Sequence, residues 1–320
     1  MNGRRLSIGL RAALAIVAVT LFVTSTRAQA PWETVVYSFN GTDGENPYVG
    51  LVMDARGNLY GTAQATVFEL AYKLCGGWTY TVLHNFSGDA DGNDPIGGLI
   101  FGAPGNLHGT TMWGGAYQFG TVFQLRQHTG GSWTEKVLYS FGGNGYNDPN
   151  GDFPEAGLIR DAAGNLYGTT AQGGAYSYRG TVFELSPEAG GGWIHKVLYS
   201  FTGGTDGSSP SARLVFDAAG NLYGTTDETV FELSPEAGGG WTEKTLYTFC
   251  SLTNCADGYG PNGSVIFDTA GDLYGTAVWG GTYNNGTVFE LSPNADRSWT
   301  YKVLHSFNPG DYPPLLLLAA

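Results

Sequence analysis

Helical patterning is what this sequence most plainly lacks. Past the first thirty residues, no window of helical length repeats apolar side chains at i, i+3, i+4 and i+7, which excludes helical and mixed-layer architectures. Charge is sparse, at 13% of residues, and basic charge is sparser still. The first thirty residues hold four arginines and no acid, so the remainder carries −17 against −13 for the whole chain. Such an acidic surface repels nucleic acid and anionic lipid. It suits cations, neutral glycans or basic partners. The histidines (His84, His108, His128, His195, His305) fall at no metal-binding spacing and do not join the three cysteines in a Cys–His set.

What is present is repetition. NLYGT starts at Asn58, Asn165 and Asn221, with variants at Asn106 and Asp272. TVFEL follows at Thr66, Thr181, Thr229 and Thr287, with TVFQL at Thr121. A tryptophan then opens a last segment at Trp78, Trp133, Trp193, Trp241 and Trp299, which closes on Phe86, Phe141, Phe201, Phe249 and Phe307. A short apolar run such as GLIRD at Gly157 precedes each NLYGT. Every unit thus holds four strand-length segments rich in Val, Leu, Ile, Phe, Tyr and Thr, divided by Gly-, Asp- and Pro-rich joints. Four strands per repeat of roughly 40–60 residues predict an all-β fold, a β-propeller of four-stranded blades. We label the strands a, b, c and d.

The joints agree with this prediction. Asp54, Asp161, Asp217 and Asp268 each open a turn toward Gly-Asn or Gly-Asp, as hairpin caps rather than catalytic groups. Gly61, Gly109, Gly168, Gly224 and Gly275 lie inside strand b, where glycine points to a close backbone approach. Glu184, Glu232 and Glu290 on strand c, with Lys196, Lys244 and Lys302 on strand d, read as cross-strand surface pairs.

GNLYGTT, GTVFELSP and VLYSF together resemble the GloVer (Gloeo/Verruco) tandem-repeat family of secreted bacterial proteins, over about residues 35 to 307. The resemblance implies a propeller-like fold and export, and hands over no functional residues. Ser186–Trp193 and Ser234–Trp241 also resemble the Asp-box hairpin of sialidase-type propellers, with Glu188 and Glu236 in place of its aspartate. That box is structural.

Residues 1–30 read as a secretion signal: Arg4, Arg5 and Arg11 precede the apolar Ala13–Val23 run and an A-x-A box at Ala28–Ala30. Residues 31–320 form the propeller domain, with blades at about 48–86, 95–141, 154–201, 210–249 and 261–307. Residues 31–39 look like a strand d without a, b or c, and 311–320 offer a strand a. The terminal strands would make a partial sixth blade, or the array is a truncated one. After signal cleavage no transmembrane span is expected. Cys250 and Cys255 flank a short loop and are expected to pair, leaving Cys75 as the odd thiol.

Propeller d–a and b–c loops share one face, and here they vary while the opposite turns stay uniform. The long b–c loops present Trp113, Tyr117, Phe119, Tyr176, Tyr178, Trp279 and Tyr283. Aromatics beside Gly and Asn suit stacking on sugar rings, or they pack as loop cores. The d–a loops are acidic. Asp89, Asp91 and Asp94 resemble the ligand-rich part of a Ca²⁺ loop, against the alternative of a solvated Asp-Gly turn.

These features point to a secreted binding or interaction scaffold for an extracellular glycan, surface polymer or surface protein, with no cofactor firmly implied, Ca²⁺ as the one candidate, and no catalytic set. The alternatives are a propeller-type hydrolase, lyase or lactonase with an unrecognised site, and a structural envelope component. A sialidase would need clustered arginines, and the six arginines past residue 30 are scattered.

Overall fold

The computed structural model describes residues 35–310, apart from residues 42, 75, 103 and 104. The expected signal, the 311–320 strand and the Cys75 thiol lie outside those residues. The chain divides into one unit up to Ser38 and a second from Phe39 onward. Of the first, only residues 35–38 are described, without regular secondary structure. The fold described below is that of the second unit.

Among the described residues, twenty strands make five antiparallel sheets of four, in sequence order within each sheet. Blade 1 holds β1 (Val52–Met53), β2 (Leu59–Ala63), β3 (Thr66–Tyr72) and β4 (Trp78–Asn85). Blade 2 holds β5 (Ile100–Phe101), β6 (Leu107–Thr111), β7 (Thr121–Gln127) and β8 (Trp133–Ser140). Blade 3 holds β9 (Ile159–Arg160), β10 (Leu166–Thr170), β11 (Thr181–Pro187) and β12 (Trp193–Ser200). Blade 4 holds β13 (Val215–Phe216), β14 (Leu222–Thr225), β15 (Thr229–Pro235) and β16 (Trp241–Thr248). Blade 5 holds β17 (Ile266–Phe267), β18 (Leu273–Ala277), β19 (Thr287–Pro293) and β20 (Trp299–Ser306). The all-β, propeller-like class is therefore the one the repeats predict. Among the described residues no helix is long and apolar enough to cross a membrane.

Two local features depart from simple hairpins. Strand a shrinks to two residues per blade. Just upstream of β9, the Ala156 carbonyl accepts from Thr110 Oγ1 of the preceding blade at 2.9 Å, so the chain there serves the neighbouring blade and not its own ladder. The c–d register also slips once in every blade, between Val182 and Phe183 in blade 3 and at the equivalent Val–Phe step elsewhere. A bulge of this kind bends the strand and deepens its twist.

The cores lie between blades, not within them. One cluster joins Val182 and Phe201 of blade 3 to Leu214, Leu222 and Phe231 of blade 4, and the same arrangement recurs at the 1–2, 2–3 and 4–5 joints. At the centre of each joint, the phenylalanine ending one blade meets the strand-c phenylalanine of the next, edge to face. The pairs are Phe86–Phe123, Phe141–Phe183, Phe201–Phe231 and Phe249–Phe289, with centroids 5.1–5.2 Å apart. Phe39 stands in the same relation to Phe68, at 5.3 Å. Of the strand d expected at 31–39, residues 31–34 are not described and Val35–Phe39 forms no strand. Phe39 reproduces the joint contact, packing edge-on on Phe68 and also on Tyr80 at 5.8 Å.

The strand-b glycines are explained by these rings. A Cβ on Gly168 would stand 2.7 Å from Phe183 Cζ and 2.9 Å from Leu158 Cδ2, and Gly224 meets Phe231 and Leu214 the same way. The hairpin aspartates cap their turns. Asp161 Oδ1 accepts from the Asn165 N–H at 2.8 Å, and Asp217 Oδ1 accepts from the Ala219 and Asn221 N–H groups. The expected Glu–Lys pairs need correction. Their backbones are register partners, but the lysines reach onward to the next blade. Lys136 Nζ donates to the Gly191 carbonyl and Lys196 Nζ to that of Gly239, each at 2.7 Å, and Lys244 Nζ donates to the Arg297 carbonyl. Only Lys302 forms the cross-strand ion pair among the described residues, with Glu290 at 3.5 Å. Glu184 and Glu232 are half-buried and already accept from the hydroxyls of Ser186 and Ser234, and a surface ion pair would gain little in water, so the lysines bond to turn carbonyls instead.

Deleting one of the joint rings should be severe. Phe201→Ala empties a fully buried site, and the expected loss is about 3–5 kcal/mol of unfolding free energy. Urea denaturation followed by tryptophan fluorescence measures it; a loss under about 1 kcal/mol would mean that the joint is not the unit of stability.

Candidate functional site

The d–a loops carry the acidic residues, and those residues are occupied. Asp91 accepts from the Ser87 N–H at 2.9 Å and from the Ser87 hydroxyl, and faces His84 Nε2 at 3.3 Å. Asp206 does the same work in blade 3, accepting from the Thr202 N–H at 2.7 Å and the Tyr199 hydroxyl at 3.0 Å. Asp257 accepts from the Ser251 N–H and from the Tyr247 hydroxyl, at 2.9 and 2.7 Å. Each aspartate thus pins its loop to the end of strand d, and His84 stands where blades 2, 3 and 4 use tyrosine. The Ca²⁺ pattern at Asp89, Asp91 and Asp94 resolves accordingly. Asp91 is the loop cap, Asp89 uses its backbone carbonyl to accept from the Gly92 and Gly115 N–H groups, and Asp94 sits at φ 53° before Pro95. Among the described residues no group of three His, Cys, Asp or Glu side chains is placed to hold a metal ion. In the 4–5 loop, Cys250 and Cys255 are joined in a disulfide.

The long b–c loops are held just as firmly. Each begins by pairing with the preceding d–a loop, through the isolated bridges Asn93↔Trp113, Asp152↔Gln172 and Tyr259↔Trp279. Each then turns through two glycines at positive φ, Gly114–Gly115, Gly173–Gly174 and Gly280–Gly281. At the first glycine a Cβ would press on the d–a backbone; at Gly173 it would stand 2.7 Å from Gly151 Cα. The second glycine donates its N–H to a d–a carbonyl: Gly115 to Asp89, Gly174 to Asp148 and Gly281 to Cys255, at 2.8–2.9 Å. The tips that follow are therefore fixed in place.

Six of the seven aromatics singled out from the sequence stand at least 42% exposed on these loops, and Phe119 is the exception. They do not form one cluster. Trp113 packs edge-on against Phe153 at 4.5 Å, and Tyr178 packs against Tyr146 at 5.3 Å. Phe119 links Phe153 and Tyr146, at 5.6 and 5.7 Å, so blades 2 and 3 share one aromatic shelf over a buried Phe153. Trp279 and Tyr283 stand on blade 5, with blade 4 and its short Asp227–Glu228 loop in between. The alternatives of loop core and open surface are thus both realised, in different rings. Phe153 and the expected Phe119 form the core, and the other six expected residues form the surface. Tyr146, Tyr259 and Phe153 were missed. Tyr259 lies in the acidic d–a loop before blade 5, and Tyr146 and Phe153 lie in NGYNDPNGDF, where the alternation of aromatic with Gly and Asn was the signal available.

The Gloeobacter/Verrucomicrobia repeat matches residues 64–253. The chain belongs to that family. No curated protein matches the chain. Among solved structures, this Gloeobacter/Verrucomicrobia-repeat protein is similar to a catalytically inactive virginiamycin B lyase from Staphylococcus aureus crystallised with quinupristin. There the identity is 14% and the TM-score 0.50, covering 84% of this chain and 73% of that one. It is similar to a luciferin-regenerating enzyme at 13% identity and TM-score 0.51, covering 83% and 77%. A protein from Lactobacillus plantarum matches at 14% identity and TM-score 0.52, covering 83% and 72%. At such identities the likeness concerns the fold alone.

The strongly displaced titratable groups of this repeat protein are dispersed over its scaffold. Burial takes His195 down to about 4, where it stacks on Tyr139 at 4.2 Å in the 2–3 joint. Burial likewise takes His108 down to about 4, while its Nε2 meets the Gln124 amide at 2.9 Å. Asp152 is pushed up to about 6 by burial, although its Oδ2 accepts from the Asn147 N–H at 2.6 Å. Glu135, on β8, has a buried and unpartnered Oε1, and burial with the Asp91 charge nearby pushes it up to about 7.

Glu135 makes stability depend on pH with a definite sign. Its folded value lies above its ordinary 4.5, so its contribution is complete below that value and is lost as pH rises through about 7. Glu135→Gln should therefore melt a few degrees above the wild type at pH 8 and level with it at pH 5. Thermal melts at both pH values check this, and an equal shift at each would assign the effect to packing instead of the proton.

Proposed function

We propose that this is an exported, non-catalytic binding protein whose loop face takes a neutral extracellular glycan or surface polymer. One observation carries the proposal: six aromatic side chains stand exposed on loops locked by backbone pairing to a rigid scaffold. Exposed aromatic side chains on a soluble surface are informative when they gather on one face. Tyr and Trp offer an apolar body with a polar tip, which suits a sugar ring with its apolar face and hydroxyl rim. Pre-organised loops spare the ordering entropy that binding otherwise costs. The chain's acidity disfavours polyanions, so a neutral polymer fits better than a sulfated or uronic one. Supporting a binding role, the displaced acids and histidines serve loop caps and blade joints and do not converge. Export rests on the basic, apolar and A-x-A segments of residues 1–30.

The test is a glycan array spanning neutral and acidic glycans. Binding to neutral polymers is expected, with the double variant Trp113→Ala and Trp279→Ala weaker by about 10-fold or more, on the scale of removing anchor aromatics. Retention only on acidic glycans, or no change in the double variant, would refute the assignment of the aromatic face.

A further inference from the structure

Blades 2, 3 and 5 share a feature that blades 1 and 4 lack. Each of the three places a tyrosine at the same point of its b–c loop, two residues after the glycine pair: Tyr117, Tyr176 and Tyr283. All three are half exposed, at 51–57%. The same three blades end strand d in serine, at Ser140, Ser200 and Ser306, where blades 1 and 4 have Asn85 and Thr248. In blades 2 and 5 the serine hydroxyl bonds to the loop. Ser140 Oγ accepts from the Ala116 N–H and Ser306 Oγ from the Thr282 N–H, both at 3.3 Å. Loop length, tyrosine and serine therefore occur together as one device.

In blade 2 this device walls an open cleft of about 440 Å³. Tyr117 forms one side, Gly143 the other, and Val137, Tyr139 and Ser140 of β8 form the floor. The floor recurs as Val197, Tyr199 and Ser200 in blade 3, and as Val303, His305 and Ser306 in blade 5. In blade 3 the Arg179 side chain stands against Gly203, the counterpart of Gly143, whereas in blade 2 no cationic side chain lines the cleft and the charges acting on Tyr139 are the carboxylates of Asp148 and Asp152. An anionic ligand is repelled there. One tyrosine ring over a hydroxyl-bearing floor suits a neutral sugar unit.

We infer that blades 2, 3 and 5 each carry one copy of a neutral-saccharide subsite, walled by Tyr117, Tyr176 or Tyr283 and floored by the end of strand d, so that the protein holds a polymer at three points. This rests on the glycan-binding role proposed above and adds to it the location, number and equivalence of the sites. Three weak sites on one rigid frame bind a polymer far more tightly than each binds its unit, by a factor of about 10²–10⁴ for linked sites of matching span.

The experiment titrates the purified full chain with neutral hexasaccharides (cello-, xylo-, manno- and chitohexaose) and with the matching polymers. Three sites per chain are expected for the hexasaccharide that binds. Two should remain in each of Tyr117→Ala, Tyr176→Ala and Tyr283→Ala, and none in the triple variant. Apparent polymer affinity should fall by about 10-fold or more with each lost site. The corresponding Tyr→Phe variants keep the ring and should keep all three sites; their failure to do so would overturn ring stacking as the contact. A wild type that binds at one site, or single Tyr→Ala variants with unchanged stoichiometry, would overturn the threefold device and leave the aromatic-face role standing. A wild type that binds none of the probes would overturn both.

Discussion

The edge-to-face contact between phenylalanines of successive blades is the constraint on which the rest of the molecule depends. A four-stranded sheet with a two-residue inner strand cannot bury its own faces. It becomes stable only by sharing a core with its neighbour, and the Phe201–Phe231 type of pair sits at the centre of that core. The pair dictates the glycine of NLYGT, since the ring tip occupies the space of its Cβ. It also fixes the height at which strand d ends, and with it the start of every d–a loop. The aspartate caps, the glycine-pair turns and the exposed tyrosines are then set by reference to that point.

This hierarchy separates the two faces of the protein. On the a–b and c–d side, each turn satisfies its own backbone through one aspartate or a glycine-rich hairpin, and little is left over for recognition. On the d–a and b–c side, loops from two successive strand pairs meet and bond to one another through main-chain groups. Backbone pairing of this kind leaves the side chains free to vary. Blade 4, with two residues in place of a long loop, shows that the scaffold does not require the aromatic tips.

Much of this was legible in the residues. The period of NLYGT and TVFEL, the Asp-to-Gly-Asn turns and the strand-b glycines each carry a local physical reason, and each holds in the fold. The pairing of Cys250 with Cys255 was legible from spacing alone. Other features depend on contacts across blades, which no local pattern encodes. Lys196 faces Glu184 in register, yet bonds to a turn some forty residues further on, at Gly239. Asp91 looks like a cation ligand until the Ser87 N–H and His84 are seen to surround it. Exposure was the least legible quantity. Phe153 and Tyr176 occupy loops of similar composition, and only the packing of neighbouring loops makes one a core and the other a surface.

The lysine bonds have one more implication. Lys136, Lys196 and Lys244 all point from their own blade to the following one, as do the phenylalanines that end strand d. Every joint therefore has a giving side and a receiving side, and the two are different surfaces. Such a seam cannot pair like with like, so a two-fold dimer cannot be built from it. It does allow any giving side to meet any receiving side. Duplication or loss of one repeat in the gene would leave the surviving seams chemically intact, and the array can change its length in evolution without redesigning its core.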